Sequence, residues 1–326
     1  MAAGRRRRRR RGRVPAPRAG DGAVGGRPRG AAQPSRRRSL LGRLRPGRGG
    51  LGVSAARRPP ARVLTVAGSD SGGGAGIEAD IKSIERLGGY AMAAVTAVTA
   101  QNTLGVQGVW PVPPEAVVLQ MRAVREDLGA DAVKTGMLAT AATVRAVAEA
   151  LTAWPDRPPL VVDPVLVAKG GAPLLEAEAV VALLEELVPL ADLVTPNWPE
   201  AAVLSGHPVE DLVDALAAGE RLLARGAGAV LVKGGHAPGP EVVDLLIERT
   251  GVTRLVHPRW PGRHTHGTGC TLSAAVATAL GQGLPLRPAV ERATRYVEAA
   301  LRHAPGFGAG HGPLGHSGGQ PPWTCA

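Results

Sequence analysis

Aromatic residues are scarce in this chain, with five Trp, two Tyr and one Phe among 326 residues. None of them lies within residues 1–60, so the arginines there have no interleaved rings on which nucleic-acid bases would stack. Cysteine is scarcer still. Cys270 and Cys325 alone make no disulfide framework, and no run of about 18 apolar residues is present to cross a membrane as a helix. The expectation is a protein of a reducing compartment, the cytoplasm, with no membrane partner.

The formal net charge of +12 is unevenly spread. Residues 1–60 hold 19 arginines against one acidic residue, Asp21, leaving 20 basic against 26 acidic residues in the remainder. The folding part is therefore mildly acidic, and residues 1–60 read as a disordered Arg/Gly/Pro-rich leader without hydrophobic periodicity. Seven consecutive arginines, Arg5 to Arg11, would bind polyanions in a salt-dependent way, which keeps a nucleic-acid-binding reading open for the leader alone. The twin-arginine look of Ser35 to Leu41 lacks the apolar stretch that an export signal needs.

From Ala61 onward, strand-like runs alternate with helical periods, the pattern of an α/β domain with a mostly parallel sheet covered on both faces. One domain is expected over 61–304, followed by a Gly-rich tail over 305–326. Strands are expected at Arg62–Ala67, Tyr90–Ala100, Val109–Val112, Ala132–Met137, Leu160–Val167, Asp192–Thr195 and Ala229–Val232. An antiparallel pair is expected at Glu241–Glu248 and Thr253–Val256. Residues 102–108 read as an exposed loop, and a helix is expected near Glu176 to Val188. On the first helix Ile77, Ile81, Ile84 and Leu87 form the apolar stripe, with Asp80 among them. A carboxylate on such a face is either salt-bridged or receives a substrate hydroxyl.

The stretch with the most chemical content is Thr265-His266-Gly267-Thr268-Gly269-Cys270, which runs straight into a small-residue helical period. Glycines let the backbone approach a ligand, and the unpaired N–H groups of a helix start suit a phosphate or a transferring phosphoryl group. The same helix start is expected to lower the pKa of Cys270 and supply a thiolate. The plainer account is a glycine turn before a core helix with an inert cysteine. Other polar or glycine residues fall at strand ends: Gly68 to Asp70, Gln101, Thr135 to Met137, Asp163, Asn197 with Glu200, and Lys233. In an open α/β sheet such ends share one crevice. Neither a Walker loop nor a full dinucleotide fingerprint is present in the glycine-rich 68–76 segment.

Taken in order, AGSDSGGGAGIEADIK, TAVTAQNT, VKTGML, VDPVLVAK, TPNWPEA, LVKGGH and THGTGCTLSAA resemble the hydroxymethylpyrimidine/phosphomethylpyrimidine kinases of thiamine biosynthesis. The likeness spans about Arg62 to His316. It implies a ribokinase-like α/β fold, ATP and Mg²⁺ as cofactors, a homodimer, and phosphorylation of a small hydroxymethylpyrimidine and then of its monophosphate. By motif position it implies that Gly68, Asp80, Gln101, Met137 and Val165 line the pyrimidine pocket. Asn197, Glu200, Lys233 and Thr268 would serve the nucleotide, with Glu200 at the metal. Lys169, Gly267, Gly269 and Cys270 would serve catalysis, the cysteine standing where the wider superfamily carries an Asp base. This chain departs from the pattern at His264, Trp198 and Gly171. Pyridoxal kinase is the nearest alternative of the same fold.

Overall fold

The computed structural model describes residues 59–166 and 176–318. Expectations that fall on the leader up to residue 58, on Cys325, and on Lys169 with Gly170 and Gly171 lie outside the described residues. In chain order the elements are β1 (Arg62–Ala67), α1 (Gly76–Arg86), β2 (Tyr90–Val95), β3 (Ala97–Asn102), β4 (Gly105–Pro111), α2 (Pro114–Asp127) and β5 (Ala132–Thr135). They continue with α3 (Ala141–Thr152), β6 (Leu160–Val162), α4 (Ala177–Ala182), β7 (Leu193–Val194), α5 (Trp198–Ser205), α6 (Leu212–Ala224) and β8 (Ala229–Val232). Last come β9 (Glu241–Glu248), β10 (Gly251–Pro258), α7 (Thr268–Gly281) and α8 (Leu286–Arg302).

Eight strands form one sheet in the order β10-β9-β8-β7-β6-β5-β1-β2. It is parallel from β2 to β8, and β9 and β10 add the expected antiparallel pair at one edge. Alternate side chains of a strand serve opposite faces, and the packing follows that rule. Leu64, Val66, Leu160 and Val162 join a core with α2 to α6, whereas Val63 and Val161 join a second core with α7 and α8. The chain leaves β1 for β2 on one side and returns to β5 on the other. That reversal opens a crevice at the carboxyl ends of β1 and β5.

Three expectations are corrected. The run Tyr90–Ala100 is not one strand: it breaks at Thr96, and β3 pairs with β4 as a separate two-stranded sheet, so residues expected to form a loop make a hairpin. The break is tertiary in origin, since the Thr96 amide bonds the Ala67 carbonyl at 3.0 Å and its hydroxyl bonds the Met137 carbonyl at 2.6 Å. The helix expected near Glu176 to Val188 stays α-helical only to Ala182, then widens to a π-turn over Leu183–Leu187. On α1 the buried face is Ala79, Asp80, Ser83 and Ile84, and Ile81 is exposed. The helix is rotated so that Asp80, and not Ile81, points inward.

The Gly-rich segment after Ala304 packs on the domain as far as it is described. The His311 amide bonds the Thr103 carbonyl at 2.8 Å, Pro313 bridges to His266, and Leu314 and His316 are buried.

Candidate active site

The carboxyl ends of β1, β5, β6, β7 and β8 open on a cavity of about 990 Å³, walled on its far side by the start of α7. Gly267 precedes that helix with φ of 80°, and a Cβ there would run into the Gly74 carbonyl, so the turn requires glycine. No side chain caps α7. Gly267 to Cys270, the start of this helix, line the cavity, and a helix start carries amides and a positive dipole end suited to an anion. The Thr268 hydroxyl is turned to the Thr265 carbonyl at 2.8 Å.

Cys270 is partly exposed to this cavity, which Gly76 at the start of α1 also lines. Burial pushes the Cys270 thiol up to about 12; the Lys134 charge opposes the rise, and Asp80 and Asp163 add to it. The expected lowering is reversed, because desolvation of the thiolate outweighs the helix amides.

Lys134, which the sequence reading passed over as one residue of a strand, is fully buried at the end of β5 and lines the cavity. Its Nζ donates to Asp80 Oδ2 at 2.8 Å, and the Thr65 hydroxyl donates to the same oxygen at 2.6 Å. Asp80 is therefore salt-bridged, the plainer of its two readings, although its Oδ1 is buried without a partner. Desolvation pushes Asp80 up and works against the charge on Lys134, yet the carboxylate, with Cys270 and Asp163 behind it, holds the ammonium above its ordinary value.

A second charged group lies beside the α7 start. Lys233 Nζ donates to Asp163 Oδ1 at 3.2 Å and stands 3.9 Å from Glu200 Oε2. Asp163 also accepts from Thr195 and Ser273 hydroxyls, each at 3.2 Å. A Cβ at Gly269 would come within 3.1 Å of Lys233 Nζ, so this ammonium lies against the helix start. Asn197 and Glu200 form a reciprocal capping box on α5, with bonds of 2.9 and 2.8 Å. Their local role is the cap that such a pair makes in any helix. Burial pushes Glu200 up to about 7, Lys233 opposing and Asp163 reinforcing.

Gly68, Gln101, Met137 and Val165 line the same cavity on its β1–β5 side, with Asp80 behind Lys134. Beside Gln101 stand Asp70 and His266, expected in the shared crevice as parts of the Gly68 to Asp70 and Thr265 to Cys270 stretches but without individual roles. His266 Nε2 lies 2.9 Å from Asp70 Oδ2 and 3.1 Å from the Gln101 side-chain amide. Asp70 is buried and accepts backbone N–H bonds from Gly72, Gly74 and Ala75. Desolvation works against its charge, but His266 and these amides hold it below the ordinary carboxylate range.

Comparison with known proteins gives a consistent result. The family model described as phosphomethylpyrimidine kinase matches residues 70–315. The hydroxymethylpyrimidine/phosphomethylpyrimidine kinase of Bacillus subtilis is 46% identical over 78% of this chain and 94% of its own length. The thiamine biosynthesis bifunctional protein ThiED of Geobacter sulfurreducens is 52% identical over 79% of this chain, which spans only 52% of that larger protein. Among solved structures, the ADP complex of Bacillus subtilis pyridoxal kinase superposes with a TM-score of 0.75 at 34% identity, over 79% of this chain and 98% of that one. The phosphomethylpyrimidine kinase of Clostridium difficile gives 0.66 at 39% identity, over 74% and 99%. With a ribokinase-like sheet, an uncapped helix start lining a strand-end cavity and this agreement along most of its length, the chain belongs to the phosphomethylpyrimidine kinase family.

Proposed function

We propose that this chain transfers the γ-phosphoryl group of ATP to the hydroxymethyl oxygen of 4-amino-5-hydroxymethyl-2-methylpyrimidine, and then phosphorylates the monophosphate to the diphosphate. The observation that carries the reading is the shared cavity. Cys270, the uncapped α7 start and Gln101 line it together. Phosphoryl transfer through a loose transition state asks mainly for positioning and for positive potential on the moving group. The Gly267 to Cys270 backbone and Lys233 provide that potential. Cys270 takes the hydroxyl proton through its thiolate form, and Gln101 presents the amide edge that pairs with an aminopyrimidine.

Mg²⁺ belongs to the proposal. Among the described residues no group of three or more His, Cys, Asp or Glu is set to hold a metal. Mg²⁺ commonly takes one or two carboxylates plus substrate phosphates, and Glu200 and Asp163 both line the cavity. Glu200 with Asn197 would hold it there, where it would neutralise phosphate charge. The part of Lys169 in catalysis rests on its motif position alone. A homodimer is supported by the β3–β4 hairpin, whose cross-strand pair Val98 and Trp110 is exposed. A cytoplasmic location fits the cysteine content.

The test is ATP consumption measured side by side with the hydroxymethylpyrimidine, its phosphate and pyridoxal. Turnover with the two pyrimidines supports the proposal; turnover with pyridoxal alone moves the chain to the other activity of this fold. Gln101→Ala is expected to raise the pyrimidine KM about tenfold or more, because each unpaired buried group costs about 1–3 kcal/mol. The KM for ATP is expected to stay put, and equal effects on both would remove Gln101 from the pyrimidine pocket.

Residues 1–60 belong outside the catalytic domain in this proposal, the family match beginning only at residue 70. A chain starting at Arg57 is expected to keep wild-type turnover and melting temperature, with any polyanion binding lost. A large fall in melting temperature would instead mean that the leader packs on the domain.

A further inference from the structure

The hydrogen-bond chain Asp70–His266–Gln101 has a direction that its partners dictate. Asp70 Oδ2 already accepts the amides of Gly74 at 2.9 Å and Ala75 at 2.8 Å, and a carboxylate oxygen can only accept. His266 Nε2, 2.9 Å from that same oxygen, therefore carries its proton. The Gln101 side-chain nitrogen, placed 3.1 Å from Nε2, then faces an N–H that Asp70 already shares, donor against donor. With the amide turned over, its oxygen meets the imidazole N–H favourably. Which end of a Gln amide is which follows from such a network, and here it puts Oε1 toward His266 and the NH₂ group into the cavity.

We propose that Asp70 and His266 are positioning residues that fix the orientation of the Gln101 amide, and with it which hydrogen-bonding edge of a pyrimidine the cavity accepts. The inference rests on the pyrimidine-kinase reading above and deepens it. Oε1 has two lone pairs, so one shares the His266 Nε2–H with Asp70 in a three-centre bond while the other remains for a substrate amine, and the NH₂ group donates to the neighbouring ring nitrogen. A 4-aminopyrimidine fits that order. A 4-oxo analogue, with a carbonyl beside a ring N–H, needs the amide turned over, which the imidazole N–H opposes. Selectivity between the two analogues is thus stored in residues distant in sequence, held by the loop carrying Asp70 and the turn before α7.

His266→Phe keeps a ring in the slot but removes the N–H. It is expected to lower kcat/KM for the 4-amino substrate about tenfold through KM, and to lower the 4-amino over 4-oxo preference by at least tenfold, as the amide becomes free to turn. The KM for ATP is expected to hold near wild type, while the melting temperature falls modestly, since buried Asp70 loses the imidazole but keeps its three backbone amides. His266→Gln, which restores an N–H donor, should recover part of the preference. A preference that is unchanged in His266→Phe, or a loss confined to kcat, would overturn the proposal. Nitrogen-15 NMR of the histidines in the unliganded full chain gives a readout independent of turnover. A protonated Nε2 on His266, with its N–H signal lost in Asp70→Ala, supports the proposal, and an unprotonated Nε2 overturns it. A wild-type enzyme inactive on both pyrimidines would strike the proposed function, leaving the NMR result to decide the amide orientation by itself.

Discussion

Replacing Lys134 by Met is expected to destabilise the protein by about 3–5 kcal/mol, the cost of leaving one member of a buried ion pair behind. Asp80 is fully buried, with one oxygen held by Lys134 and Thr65 and the other already without a partner. With the ammonium gone, the carboxylate has to take up a proton or stay charged in a dry site, and either outcome weakens the fold. For a domain of this size each kcal/mol shifts the melting temperature by about 2–4 °C, so a fall of roughly 10 °C is the readout. Removing both charges together, as Asp80→Leu with Lys134→Met, should recover most of that loss, because apolar replacement of a buried pair is often neutral or better. Turnover should not recover with it. Lys134 lines the cavity, and its charge opposes the rise in the Cys270 pKa. Full activity in the stable double variant would make the pair a matter of packing only.

Lys134 also marks where sequence reading ran out. On the page it is one charged residue in a short strand, and its burial depends on a carboxylate 54 positions earlier. Asp80 itself was legible as an inward-facing acid, but the stripe drawn around it was wrong by part of a turn, since Ile81 is exposed. The Asp70–His266 contact spans 196 positions and left no local trace. By contrast, the Asn197–Glu200 cap, the Gly267 turn and the strand-end placement of Gln101, Asp163 and Lys233 follow from spacing of a few residues. Local chemistry of that kind survives into the fold. The Thr96 break in β2–β3 shows the opposite case. No glycine or proline punctuates it, and hydrogen bonds that Thr96 donates to the Ala67 and Met137 carbonyls decide it. The Leu183–Leu187 widening, by contrast, runs into Pro189, which has no N–H to continue the helical ladder.

For Cys270 the structure reverses the sign of the sequence expectation and so sharpens the test. Cys270→Ala is expected to lower kcat by about 10²–10⁴, the range for a positioned general base, with the KM for ATP nearly unchanged, since the α7 amides need no side chain to remain in place. With the thiol pushed up to about 12, only a small thiolate fraction is present at neutral pH in the unliganded protein. Alkylation by a thiol-selective reagent should therefore speed up with pH and reach its midpoint above the roughly 8.5 of a free thiol. Turnover that depends on the thiolate should rise with pH through the same alkaline range, by up to about tenfold per unit while the thiol remains mostly protonated. Cys270→Asp replaces the thiol by a carboxylate, the group that related kinases carry at this position, and is expected to exceed the Ala variant in turnover. Its carboxyl ionises well below the thiol, so the alkaline rise should flatten. Near-full turnover in Cys270→Ala would remove the cysteine from proton transfer. A wild-type rate that is level between pH 7 and 10, while Cys270→Ala is slow, would instead give the sulfur an orienting role in which its ionisation takes no part.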